Sequence, residues 1–129
     1  MHNIIEKMEG NDMRDFILKN KKAVDINQVR DIGKQLIQAI CYLQENRIIH
    51  RDLKPENILF NKEMKQIKVI DLGLSTRFEQ TAKEGEVLGT MRYMSPEQLG
   101  GILSFKSDIW AFGCILLEFL TGVQPYEGL

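Results

Sequence analysis

Residues 48–60 read IIHRDLKPENILF, and this stretch decides how the chain is expected to fold. It begins and ends with apolar runs short enough for β-strands, and the polar loop between them (residues 50–57) is dense in charged side chains. A second candidate strand, Ile67–Ile70, follows a polar turn at residues 61–66. Two short strands joined by a polar turn are typical of an antiparallel hairpin. We therefore predict a hairpin formed by Ile58–Phe60 and Ile67–Ile70.

The open end of this hairpin carries residues that suit a cation. Asn57 comes directly before the first strand and Asp71 directly after the second, so antiparallel pairing brings the two positions side by side. An amide oxygen and a carboxylate suit a small hard cation such as Mg²⁺. Asp52 lies in the same loop and is a candidate general base. The competing interpretation is that Asn57 and Asp71 only shape turns and that Asp52 is an ordinary exposed carboxylate.

The segment Asp25–Asn46 is predicted to be a long helix that docks on a core. Asp25 and Gln28 have the spacing of a capping box at its start. Gly33 is costly in a helix interior and predicts a close contact with another helix. Apolar residues recur at three- and four-residue steps and form one stripe. They are Ile26, Val29, Ile32, Leu36, Ile37, Ile40 and Leu43.

The second strong helix is Ser107–Thr121, which is apolar nearly all round and is therefore expected at the centre of a domain. Shorter helices are predicted at residues 12–20 and, with proline in the first turn, at Pro96–Leu99. Residues 74–95 show no sustained period. They predict a long loop, a feature that is usually functional or disordered in compact domains.

Composition narrows the class of protein. The 129 residues include 17 basic and 18 acidic side chains, a net charge of −1, which gives no basic field for nucleic acid. No apolar run reaches the roughly 18 residues of a membrane span, and no signal pattern opens the chain. Cys41 and Cys114 stand in apolar helical sequence, so we expect two buried thiols and no disulfide. These features predict an intracellular, cytoplasmic protein.

Four motifs in order resemble those of eukaryotic protein kinases of the serine/threonine type. His50–Asn57 resembles their catalytic loop, and Asp71–Gly73 resembles their metal-binding Asp-Phe-Gly element with Leu in place of Phe. Gly89-Thr90 and Ser95–Glu97 resemble the end of the activation segment. Asp108–Gly113 resembles the start of their central buried helix. The resemblance covers the whole chain.

The resemblance implies a mostly α-helical kinase large lobe with a small β-hairpin at its site. Residues 1–129 would form a partial protein kinase domain that runs from the hinge to the central buried helix. Residues 50–57 would be the catalytic loop and residues 71–97 the activation segment. The glycine loop and lysine strand of the smaller N-terminal lobe are not found in this sequence, nor are the last helices of the large lobe. We therefore expect them in a longer product.

The activity implied by the resemblance is transfer of the γ-phosphoryl group of ATP to a Ser or Thr hydroxyl of a protein substrate. Asp52 would be the catalytic base, and Lys54 would steady the charge on the transferring group. Asn57 and Asp71 would hold Mg²⁺. The alternative for Lys54 is a solvated lysine. For the whole chain, the alternatives are a non-catalytic kinase-like binding module and an inactive fragment of a longer kinase.

The resemblance also implies nucleotide contacts. Backbone groups of Glu6 and Met8 would hold the adenine, Asp12 would meet the ribose, and Leu59 would form the apolar floor under the base. The full set of implied cofactor-binding residues is Glu6, Met8, Asp12, Lys54, Glu56, Asn57, Leu59 and Asp71.

Supporting roles are implied as well. His50 is expected to be a packed structural residue, and Arg51 is expected to bind an anion on the activation segment. Asp108 is expected to bond backbone amides of the catalytic loop, and Trp110 is expected in the core. Glu97 usually pairs with an arginine outside this sequence. A buried charge that loses its partner costs roughly 3–5 kcal/mol.

Overall fold

The computed structural model describes residues 11–19, 25–61, 65–70, 76–77 and 91–126. The strands are β1 (Asn11–Asp12), β2 (Ile48–Ile49), β3 (Ile58–Asn61), β4 (Gln66–Val69) and β5 (Thr76–Arg77). The α-helices are α1 (Met13–Lys19), α2 (Ile26–Glu45), α3 (Pro96–Leu99) and α4 (Lys106–Thr121), and short 3₁₀ turns lie at Pro55–Asn57 and Met91–Tyr93. The described chain is mostly helical with small antiparallel sheets, which confirms the predicted fold class.

The predicted hairpin is confirmed, and it carries a third strand. β3 and β4 pair antiparallel, with Ile58 opposite Val69 and Asn61 opposite Gln66. β1 pairs with the other edge of β3, which places Asp12 opposite Leu59. The helix predicted for residues 12–20 therefore begins one residue later, because the backbone of Asp12 belongs to the sheet. A second small sheet pairs β2 with β5.

Helix α2 begins and ends where the sequence predicts. The Asp25 carboxylate accepts from the Asn27 amide at 2.9 Å and caps the first turn. A capping box would use the amide of Gln28 instead, so this detail of the prediction is wrong. At the other end Asn46 donates its side-chain amide to the Tyr42 carbonyl at 2.8 Å. Arg47 then leaves the helix with φ of 58°.

The apolar stripe of α2 faces the core, with one exception. Its buried members are Val29, Ile32, Leu36, Ile40 and Leu43. Ile26 is 58% exposed, because it stands in the first turn at the rim of a groove between α2 and α4. Gly33 meets α4 closely, and a Cβ atom there would lie 3.3 Å from Leu116 Cδ2. The close helix contact predicted at Gly33 is confirmed.

Gln35 ties α2 to the hairpin. Its side-chain amide donates to the Lys65 carbonyl at 2.7 Å, and its oxygen accepts from the Ile67 amide at 2.9 Å. These bonds hold β4 against the long helix. Phe16 of α1 packs edge-on against Phe60 and stacks on Phe119 of α4. One core therefore joins α1, the hairpin and α4.

Helix α4 is buried on one face only, although its nearly uniform apolar sequence predicts a place at the centre of a domain. Ala111, Ile115 and Phe119 face the core, whereas Trp110 is 40% exposed and Leu117 is 61% exposed. The helix ends at Gly122, which adopts the left-handed conformation with φ of 75°. No helix in the described ranges is long and apolar enough to cross a membrane.

The structure also tests the predicted burial of two cysteines and of Glu97. Cys41 is exposed, because it lies on the outer side of α2, so its predicted burial is wrong. Cys114 is half-buried, and burial raises the pKa of its thiol. Both cysteines are free thiols, as predicted. Glu97 is exposed, so the predicted cost of a buried unpaired charge does not arise.

Candidate functional site

The polar loop is anchored on helix α4. The backbone amides of His50 and Arg51 donate to the two carboxylate oxygens of Asp108, at 2.8 and 3.2 Å. Asp108 stands in the first turn of α4 and is only 2% exposed. Burial raises the pKa of the Asp108 carboxyl, and the two amide donors oppose that rise. The contact expected between Asp108 and the loop backbone is therefore present.

His50 links the loop to the end of β4. Its ring is fully buried, its Nε2 lies 2.9 Å from the Ile70 carbonyl oxygen, and its Nδ1 accepts from the Asp52 amide at 3.1 Å. Both bonds form together only in the neutral tautomer that carries its proton on Nε2. The ring nitrogens are thus engaged with backbone groups, as suits a packed structural residue.

Arg51 has an unusual backbone conformation. Its φ is 79°, in the left-handed region, which costs a residue with a side chain about 1–3 kcal/mol. The bond from its amide to Asp108 helps to hold this geometry. Its guanidinium is expected to bind an anion on the activation segment, residues 71–97. Most of that segment lies outside the described residues.

Asp52, Lys54 and Asn57, which share the polar loop, have their side chains close together. The Asp52 Oδ2 atom is 3.4 Å from Lys54 Nζ and 3.5 Å from Asn57 Nδ2. Asn57 Nδ2 also donates to the Asp52 carbonyl at 2.8 Å. Asp52 is 8% exposed and Asn57 is 6% exposed. The loop thus gathers a carboxylate, an ammonium group and an amide at one place.

The open end of the hairpin extends the strand pairing to Asn57. The Ile70 amide donates to the Asn57 carbonyl at 2.8 Å, one residue beyond the pairing of Ile58 with Val69. Because Asn57 Nδ2 is engaged with Asp52, its Oδ1 is the side-chain atom oriented to accept or coordinate. An amide oxygen fits a hard cation. Asp71, the other predicted metal ligand, lies outside the described residues.

The residues expected at the nucleotide are only partly described. Asp12 and Leu59 stand opposite each other on β1 and β3, and both are half-buried. Glu56 is exposed, in the 3₁₀ turn that ends the polar loop. The expected adenine contacts at Glu6 and Met8 lie outside the described residues.

A buried ionic cluster next to the loop was not predicted from the sequence. Glu118 of α4 is fully buried and forms an ion pair with Arg14 of α1. Tyr93 donates to Glu118 Oε1 at 2.5 Å and accepts from Arg14 Nη2 at 2.6 Å. Arg14 Nε also lies 3.4 Å from a carboxylate oxygen of Glu56 in the polar loop. The one signal in the sequence was a glutamate within an apolar helix.

The phenol of Tyr93 in this cluster has a raised pKa. Burial raises the pKa of the Tyr93 phenol, and the nearby Arg14 guanidinium opposes that rise. The cluster joins α1, the polar loop, the 3₁₀ turn at Met91–Tyr93 and α4. Its contact with the polar loop is the pair of Arg14 with Glu56.

Gln98 is a second residue that the sequence did not single out. It is buried in α3, and its side-chain amide donates to the Arg51 carbonyl at 3.1 Å. The local sequence around Gln98 does not predict this contact, because its partner lies 47 residues away in the chain.

Comparisons with known proteins agree with this arrangement. The sequence pattern of the protein kinase domain matches residues 1–129. The chain is 43% identical over 122 residues to calcium-dependent protein kinase 4 of Plasmodium falciparum, covering 92% of this chain and 23% of that protein. It is 43% identical over 127 residues to the mitogen-activated protein kinase kinase SIPKK of Nicotiana tabacum, covering 96% and 35%.

A bacterial relative extends the likeness. The chain is 39% identical over 128 residues to the serine/threonine-protein kinase PrkC of Bacillus subtilis, covering 97% of this chain and 19% of that protein. The chain thus spans about a fifth to a third of the length of these three relatives. Because the domain pattern matches over the full sequence, this chain belongs to the protein kinase family.

Proposed function

We propose that the protein is a serine/threonine protein kinase, which transfers the γ-phosphoryl group of ATP to a Ser or Thr hydroxyl of a protein substrate. The observation that carries the proposal is the cluster of Asp52, Lys54 and Asn57 on a loop anchored to α4. Residues 50–57 would be the catalytic loop and residues 71–97 the activation segment of a kinase domain. The similarity to a serine/threonine-protein kinase of Bacillus subtilis supports the serine/threonine class.

Asp52 would orient the substrate hydroxyl and accept its proton. A carboxylate oxygen that accepts from the hydroxyl points a lone pair of the hydroxyl oxygen toward the phosphorus atom. As the new O–P bond forms, the proton moves to Asp52. The backbone bonds of Asp52 to His50 and Asn57 limit the motion of this base. Such positioning is a large part of catalysis in phosphoryl transfer.

Lys54 would stabilise negative charge on the transferring group. Its ammonium lies 3.4 Å from Asp52 Oδ2, and its side chain is 24% exposed, so it can reach a ligand beside the base. A fixed cation next to developing charge lowers the barrier most in a site from which water is excluded. The same residue would contact the γ-phosphate in the bound nucleotide.

Asn57 and Asp71 would hold Mg²⁺, which when bound would neutralise phosphate charge on ATP. The side-chain amide oxygen of Asn57, a ligand type that suits a hard cation, supports this assignment. For the rest of the nucleotide we propose contacts from Glu6 and Met8 to the adenine, and from Asp12, Glu56 and Leu59 around the ribose and base.

We also propose that the protein acts inside the cell, in the cytoplasm. Free thiols at Cys41 and Cys114 suit a reducing compartment.

The test is a phosphoryl-transfer assay on the natively expressed protein, with ATP, Mg²⁺ and a generic acceptor protein. Asp52→Asn should lower turnover by about 10²–10⁴-fold, because a general base contributes that much. Asp31→Asn is the matched control, since Asp31 is an exposed carboxylate on α2. Equal activity of the wild type and Asp52→Asn would overturn the role of Asp52.

A non-catalytic kinase-like binding protein and an inactive fragment are the alternatives. Both alternatives are tested because the chain spans only a part of the length of its relatives. Binding of ATP without measurable turnover would indicate the binding protein. Neither binding nor turnover would indicate the inactive fragment.

A further inference from the structure

The peptide group between Arg51 and Asp52 is held at both of its polar atoms. Its carbonyl oxygen accepts from Gln98 Nε2 at 3.1 Å, and its amide donates to His50 Nδ1 at 3.1 Å. The preceding amide, that of Arg51, is bound by Asp108. A peptide held in this way cannot rotate without losing hydrogen bonds in a buried region.

Gln98 itself is firmly placed. It is 6% exposed and lies in helix α3, whose first turn is capped by a bond from the Gln98 amide to Ser95 Oγ at 3.1 Å. Ser95 is also buried. The side chain of Gln98 therefore presents a donor to the loop from a fixed helix.

Arg51 needs this support because its backbone is strained. With φ at 79°, relaxation to an ordinary conformation is favourable unless contacts oppose it. Such a relaxation would rotate the peptide that leads into Asp52. The Asp52 carboxylate would then move away from Lys54 and Asn57.

We propose that Gln98 is a positioning residue, which holds the Arg51–Asp52 peptide so that the Asp52 carboxylate stays in its reactive position. The inference rests on the proposed kinase function, in which Asp52 is the base. A glutamine suits the task because it is a neutral donor of the right length. A glutamate would instead direct negative charge at a carbonyl oxygen.

Gln98→Met tests the proposal, because methionine has a similar length and lacks the donor. In the natively expressed protein we expect kcat to fall about tenfold. The KM for ATP should change by less than about twofold, because the proposed nucleotide contacts lie on other residues. Gln38→Met is the matched control, since Gln38 is an exposed glutamine on α2, and it should leave both constants unchanged.

A second readout does not depend on turnover. Hydrogen exchange at the Asp52 amide, followed by NMR, should be about tenfold faster in Gln98→Met, because its peptide is released. Exchange at the Leu36 amide in the core of α2 should stay the same. Gln98→Asn, which keeps the donor but is one methylene shorter, should behave as Gln98→Met does.

The outcomes separate the two proposals. Lower kcat with faster Asp52 exchange and an unchanged KM for ATP supports the positioning role. Unchanged exchange at Asp52 overturns it, and so does a joint loss of ATP binding, stability and turnover, which indicates a general structural role. If the wild type shows no turnover, the kinase proposal fails, and the exchange measurement alone decides the role of Gln98.

Discussion

Helices α2 and α4, the two longest among the described residues, differ in the polar and apolar side chains that they bury. On α2 most of the apolar stripe faces the core, and charged residues such as Asp31 and Lys34 face outward. On α4 two carboxylates are buried, Asp108 at 2% exposure and Glu118 at full burial, while apolar residues such as Leu117 are exposed. The exposed apolar residues of α4 are Ile109, Trp110, Leu117 and Leu120.

The difference shows that α2 contributes mainly apolar packing, whereas the buried carboxylates of α4 hold neighbouring elements in place. A buried carboxylate is costly unless donors or cations satisfy it. Asp108 is satisfied by two amides of the polar loop, and Glu118 is paired with Arg14 and Tyr93. Each buried charge on α4 thus fixes another element near the candidate site. The buried side chains of α2 supply apolar packing and the close approach at Gly33.

The largest expected effect on the free energy of unfolding comes from replacing a buried carboxylate of α4, with an exposed carboxylate of α2 as the comparison. Asp108→Ala leaves two buried amides without an acceptor, and each costs about 1–3 kcal/mol, so we expect a loss of about 2–6 kcal/mol in the free energy of unfolding. Asp31→Ala on α2 should change it by less than about 0.5 kcal/mol. Urea denaturation measures both. Similar losses in the two variants would contradict the contrast between the helices.

The ion pair of Arg14 and Glu118 comes next. Glu118→Ala leaves the guanidinium of a side chain that is only 12% exposed without its buried partner, and we expect a loss of about 3–5 kcal/mol. The double variant Arg14→Met/Glu118→Met should lose less than the sum of the two single methionine variants, by about 0.5–3 kcal/mol. A double-mutant cycle measures this coupling, and strictly additive losses would show that the two residues act independently.

Two apolar residues of α4 sharpen the comparison within one helix. Ile115 is 1% exposed, so Ile115→Ala should cost about 2–5 kcal/mol through lost contacts and a cavity. Leu117 is 61% exposed, so Leu117→Ala should cost less than about 0.5 kcal/mol. Chemical denaturation of both variants checks the difference. A large loss for Leu117→Ala would mean that its side chain is covered.

The smallest effect concerns the pH dependence of stability. Burial raises the pKa of Tyr93 above its ordinary value of 10.0. The folded protein therefore holds this proton more tightly than the unfolded chain does. The contribution to stability is intact below pH 10.0 and is lost as the pH rises through the folded pKa. The free energy of unfolding should be lower at about pH 11 than at about pH 9. Tyr93→Phe should reduce this difference, whereas the control Tyr42→Phe should leave it unchanged.

Much of the fold was predictable because it depends on local patterns. The spacing of apolar residues predicted α2, and two short apolar runs predicted the hairpin. The same reasoning failed for α4, because hydropathy reports what could be buried and not which face is covered. Trp110, expected in the core, is 40% exposed for this reason.

The site was predictable only where its residues lie near one another in sequence. Asp52, Lys54 and Asn57 share one loop, and the structure places their side chains close together. The partners that hold the loop come from far away: the bond of Gln98 to Arg51 spans 47 residues, and that of Arg14 to Tyr93 spans 79. Asp108 was expected only through the resemblance to kinases, since spacing alone does not show what a distant carboxylate binds.

The left-handed backbone conformation of Arg51 has a consequence for folding during synthesis. Its amide is held by Asp108, which follows it by 57 residues in the chain. At the usual 5–20 residues per second, the ribosome adds Asp108 about 3–11 s after Arg51. During that interval the nascent loop lacks this acceptor, and Arg51 is free of the constraint that imposes its strained conformation. The polar loop therefore reaches its final geometry only after α4 has been translated and docked.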